Sequence, residues 1–171
     1  MMNASTLFPL TVAMVACICD LRSRRIPNVL TFGAALLALA AHLLFGGTAG
    51  VAVGAEGWLL GLALFFPMFA LGGLGAGDVK LLGAFGAWLG PSSIVFVAFY
   101  STLVGGVIAL IVALRNRYLA RALRNIKFLA TFWMTVGLKP VDGLTLADAD
   151  APRVAYAVPM LAGLLVTLWT R

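Results

Sequence analysis

From Leu81 to Leu114 the chain carries no charged side chain, and from Val29 to Ala55 it again carries none. Uncharged apolar runs of this length belong in lipid, because about 20 apolar residues carry a helix across the ~30 Å hydrocarbon core of a bilayer. The other residues agree. Across 171 positions 63% are hydrophobic and 11% charged, whereas a soluble domain carries about a quarter charged residues. That balance excludes an ordinary water-soluble fold, and with it disorder and coiled coil, which need more charge. The expected fold is all-α: a polytopic membrane protein forming one integral membrane domain over residues 1–171.

Charges and turn residues divide the chain into six expected spans of a transmembrane bundle, at about 4–19, 29–45, 57–71, 78–89, 94–114 and 154–170. Gly46, Gly47 and Gly50 read as a flexible loop, and Gly90-Pro91-Ser92-Ser93 as a turn dividing the longest run. No Lys or Arg precedes Arg22, so the first run lacks the basic start of a signal peptide and is expected to persist as a helix. The net charge of +6 is best explained by the Lys/Arg excess of cytoplasmic loops rather than by nucleic acid. With alternating spans, Arg22, Arg24, Arg25, Lys80, Arg115, Arg117, Arg121, Arg124, Lys127, Lys139 and Arg153 share one side, and Arg171 stands on the other. The first side is then cytoplasmic and both termini lie outside. Trp58, Trp88 and Trp169 fall near the outer ends of their spans, where interfacial Trp residues sit.

The segment 115–153 holds Arg117, Arg121, Arg124 and Lys127 at helical spacing, followed by apolar Phe128–Leu138. Eleven apolar residues cannot span. The expectation is a basic amphipathic helix on the cytoplasmic leaflet, with membrane lipid as its partner, and a short hairpin dipping into the bilayer as the alternative. Cys17 and Cys19, two residues apart on a helix, face nearly opposite sides and read as small apolar fillers. With His42 the only histidine and placed toward the far side, neither a metal nor a cofactor is expected.

Two of the six acidic residues sit where spans meet the cytoplasm: Asp20 closing the first, and Asp78 between a glycine-rich stretch and the fourth. Ionisable groups at membrane depth cost at least ~2.5–3.5 kcal/mol, and tend to face protein or water. From Asp78 to Leu89 a helix rises about 18 Å, short of ~30 Å, which places Asp78 inside the inner half of the bilayer. Gly75 and Gly77 permit positive-φ backbone and the close approach of another chain. The expected result is a wet pocket with a carboxylate at its end, and two such carboxylates suit acid/base hydrolysis of a peptide. Plainer roles stay open here: Asp78 as a helix cap, Asp20 as the i+4 partner of Arg24. A proton-coupled transporter or channel using the same acids, or an inactive scaffold, also remain.

Asp20-Leu21-Arg22-Ser23-Arg24-Arg25-Ile26-Pro27-Asn28 resembles the first aspartate motif of the type IV prepilin peptidases, and Gly75-Ala76-Gly77-Asp78-Val79-Lys80-Leu81 their G-x-G-D motif. Tyr156-Ala157-Val158-Pro159 is similar to an apolar, Pro-containing motif near the end of these enzymes. The resemblance implies a membrane aspartic endopeptidase that cuts the basic leader from prepilins and pseudopilins at the cytoplasmic face. It makes Asp20 and Asp78 the catalytic pair, Gly75 and Gly77 the shapers of the loop, and Lys80, Pro27 and Asn28 companions of the site. The paired C-x-x-C region of longer members is not seen, so the chain resembles the short form of tight-adherence (Flp-type) systems, with no methyl transfer expected. Archaeal preflagellin-type peptidases share this short form. Asp142, Asp148 and Asp150 stand as candidates for attracting a basic leader, beside the plainer reading of a solvated loop.

Overall fold

The protein's structure, a computed structural model, describes residues 4–139, 141, 144 and 155–170. The described residues form helices α1 (Ala4–Ser23), α2 (Asn28–Ala70), α3 (Ala76–Arg115), α4 (Leu119–Val136) and α5 (Ala157–Trp169). The all-α expectation holds. The expectation of six separate span-length helices is corrected: among the described residues only α1, α2 and α3 are long and apolar enough to cross a membrane, and α5 is shorter.

The expected second and third spans are one element, as are the fourth and fifth, because a single glycine turns each of them. A straight helix of 43 residues would run about 65 Å at ~1.5 Å per residue. α2 does not run straight. At Gly47 (φ 62, ψ −154) the backbone enters a region that only glycine adopts freely. A Cβ on Gly50 would lie 2.6 Å from the carbonyl oxygen of His42, residues that a straight helix holds about 12 Å apart. The chain therefore folds back on itself, and positions 48–56, expected as loop, are helical. Gly90 (φ 76, ψ 175) does the same in α3, where Gly86 comes back within reach of Ile94. Pro91 follows directly, in the first helical position, where its missing N–H costs nothing.

The first limb of α3 is the centre of the molecule. Every residue from Leu81 to Ala87 is buried, as expected of a helix apolar on all sides. The second limb of α2 approaches it backbone to backbone: a Cβ on Gly57 would collide with the Gly86 carbonyl, and one on Gly61 would sit 2.6 Å from the Leu82 oxygen. Small residues allow such contact, which supplies dispersion where lipid removes the hydrophobic drive. Two polar ties join the first limb of α2 to the same central helix, Trp88 Nε1–H to the Ala34 carbonyl (2.9 Å) and His42 Nε2 with the Ala87 carbonyl (3.1 Å). Trp88 is half-buried, with its ring 4.4 Å from that of Phe8 on α1. α4 buries no residue fully.

Candidate active site

The central limb of α3 begins at the end of the bundle where α1 stops and α5 starts. Gly75, with extended backbone (φ −79, ψ 147), is the N-cap of α3, and Asp78 stands three residues on. Its Oδ2 reaches back to accept the Gly75 N–H at 3.2 Å, satisfying one of the orphan donors of a helix start. The cap role left open for Asp78 is thus real, exercised from the first turn rather than from the cap position. A Cβ on Gly75 would stand 3.1 Å from that same oxygen, and one on Gly77 3.1 Å from Ile26 Cβ. The close approach of another segment is present at Gly77, whereas the near neighbour of Gly75 is Asp78 in the same helix start. The positive φ is at neither: it falls on Gly72 (φ 78), in the connection from α2, because Gly75 already has the extended geometry of a cap.

Asp20, on the last turn of α1, is 8% exposed. Its Oδ2 accepts the backbone N–H of Ala157 at 3.2 Å, across 137 residues of sequence. Ala157 opens α5, so the carboxylate rests on the positive end of that helix. Cys17, one turn earlier, donates its thiol to the Ala157 carbonyl at 3.0 Å. That corrects its reading as a filler. Both ties were hidden from sequence reasoning because one partner in each is backbone. The signal available was Pro159, which sits in the first turn of α5 and marks a helix start near the site.

Asp20 and Asp78 line one cavity of about 400 Å³, together with Arg24, Arg25, Ile26, Pro27, Asn28, the stretch 75–77 and Lys80. All seven candidate residues, Asp20, Pro27, Asn28, Gly75, Gly77, Asp78 and Lys80, are therefore brought together. Pro27 is the N-cap of α2, its carbonyl accepting the Leu30 N–H at 3.1 Å. Lys80 Nζ donates to Asn28 Oδ1 at 2.9 Å and lies 5.3 Å from the Phe32 ring centre. The lysine thus joins the start of α2 to the first turn of α3. Asp142, Asp148 and Asp150 lie outside the described residues.

A cavity of this size, lined by two acids and three bases from separate elements, can hold water and a short stretch of extended peptide. The model of the type IV leader peptidase family matches residues 7–110, well over half of the chain, including both acidic motifs. The chain belongs to that family. No curated protein and no solved structure matches it. As a type IV leader peptidase family member it is a peptidase, and its long apolar helices make it a membrane protein. α4 and α5 lie beyond the matched residues.

Proposed function

We propose that this membrane peptidase is an aspartic endopeptidase, with Asp20 and Asp78 as its catalytic pair, that removes the basic leader of type IV (Flp-like) prepilins and pseudopilins. The observation that carries the reading is the meeting of those two carboxylates, from α1 and α3, in one cavity. Each also engages a backbone N–H at a helix start, which holds its position without consuming its acid/base capacity. In the proposed step the ionised carboxylate takes a proton from a water molecule, whose oxygen attacks the scissile carbonyl. The protonated partner gives its hydrogen to that carbonyl oxygen; on collapse of the tetrahedral adduct the leaving nitrogen takes the proton that the first carboxylate removed from water, and the second carboxylate recovers its hydrogen from the adduct hydroxyl.

The limbs of α2 and α3, with α1 and α5, make the six crossings of the proposed topology, the cavity opening toward the cytoplasm of a bacterial inner membrane. The cavity is sunk within the lipid. The Tyr156 ring packs on Gly105, where a Cβ would come within 3.0 Å, and the next residue is the one bonded to Asp20. α3 runs on from Gly105 to Arg115, about 15 Å of helix, with Val107, Leu110, Ile111 and Leu114 all exposed. Those apolar side chains need lipid around them, so the carboxylates lie below its surface and water reaches them through the cavity.

The test is Asp20→Asn and Asp78→Asn in detergent-purified protein incubated with a candidate Flp-type prepilin. Each variant is expected to accumulate in membranes at the parent level and to lose cleavage by about 10²–10⁴-fold, the worth of positioned acid/base catalysis. Cleavage near the parent rate in either variant overturns the assigned pair. Proton or solute flux through vesicles in place of proteolysis supports a transporter instead.

A further inference from the structure

Helix α4 follows directly on the end of α3 and lies outside the residues that define the family. Its surface divides into three stripes at helical spacing. Ala122, Asn125, Leu129 and Phe132 are half-buried, and among the described helices only α3 comes near. Leu123, Ile126, Ala130 and Met134 form a second stripe, exposed throughout, with Ile126 at 62% and Met134 at 87%. Arg121, Arg124, Lys127, Thr131 and Thr135 form the third, also exposed. No acidic residue occurs in the helix.

We infer that α4 lies on the membrane as a docking surface for anionic lipid, its Leu123–Met134 stripe in the acyl boundary and its three cations among the headgroups. The placement rests on the membrane course of α3 and not on peptidase chemistry. Three things on the molecule select this occupant. The apolar stripe is contiguous and strongly exposed, a surface that water disfavours. The flanking charge is of one sign, opposite to that of phosphatidylglycerol-type headgroups. The stripe also follows closely along the chain on the exposed Val107, Leu110, Ile111 and Leu114 of α3, which end just before α4 begins. The helix thus offers one apolar stripe to lipid and one cationic stripe to headgroups and water.

The test places an environment-sensitive fluorescent amino acid at Ile126, Met134 or Thr131, one at a time, in the full chain in nanodiscs. The discs hold phosphatidylcholine alone or with phosphatidylglycerol, with brominated acyl chains as quencher. With phosphatidylglycerol, the probes at 126 and 134 are expected to shift to the blue and be quenched while the probe at 131 stays water-like. Both effects weaken as salt rises. The variants R121E/R124E/K127E and R121Q/R124Q/K127Q should lose the quenching at 126 and 134 with a probe at Leu103 in α3 unchanged, which shows that the bundle is intact. Water-like emission at 126 and 134 in phosphatidylglycerol discs overturns the proposal. So does quenching that is equal in both lipids, since the cations would then contribute nothing.

Discussion

Asp20 and Asp78 are held by the same device at two helix starts: one oxygen of each accepts a backbone N–H, from Ala157 and from Gly75. Between them runs the connection 24–28, fastened by the Lys80–Asn28 bond of 2.9 Å. If that bond sets the spacing of the two motifs, Lys80→Met should slow leader cleavage roughly fivefold, about 1 kcal/mol for a hydrogen bond to a charged group in a partly wet site. Asn28→Ala should do the same, and the double variant should cost little more than either single one, since both remove one tie. Strict additivity in the rate of prepilin cleavage argues that the residues act separately. At this scale the sequence was legible where side chains meet side chains. The acids, their glycines, Lys80, Pro27 and Asn28 all reach one cavity. The helix end that steadies Asp20 was not legible, because a backbone N–H has no letter of its own, and neither was Cys17, whose thiol finds a carbonyl 140 residues away.

The hairpins of α2 and α3 depend on contacts that leave no room for a side chain. Gly57→Leu should drive the two central limbs apart, and overpacking of this kind costs about 1–3 kcal/mol or more. Gly33, helical and with nothing near its would-be Cβ, provides the contrast. Gly33→Ala should leave stability unchanged or raise it by up to ~1 kcal/mol, the helix-propensity difference. Thermal unfolding of both variants in detergent checks the pair, and equal effects would contradict the packing described. The apolar runs announced helices, and the glycines announced their breaks. Length was misjudged, because Gly46, Gly47 and Gly50 look alike in a sequence although only Gly47 takes the left-handed conformation. Helical hydrogen bonding resumes at once on either side, so a loop of several residues shrank to a turn at one. α4 was legible as an amphipathic helix from its spacing alone.

For the whole molecule, the alternation of limbs puts the Gly47 and Gly90 turns at the end opposite the cavity. The proposed orientation then has a direct outcome in intact cells. A cysteine at Thr48 should react with a membrane-impermeant maleimide added outside, whereas one at Asn116 should react only after permeabilisation; Cys17, which is buried, and Cys19 set the background. The reverse pattern would invert the molecule and remove the cytoplasmic leader as its substrate.

The bond between Asp20 and Ala157 closes a circuit across 137 residues. A ribosome meets these residues in order, so both acids leave the exit tunnel long before the helix end on which one of them rests. If Asp20 and Asp78 are the catalytic pair, the growing chain carries an incomplete centre into the bilayer, and Asp20 gains the support of the Ala157 N–H only once α5 arrives.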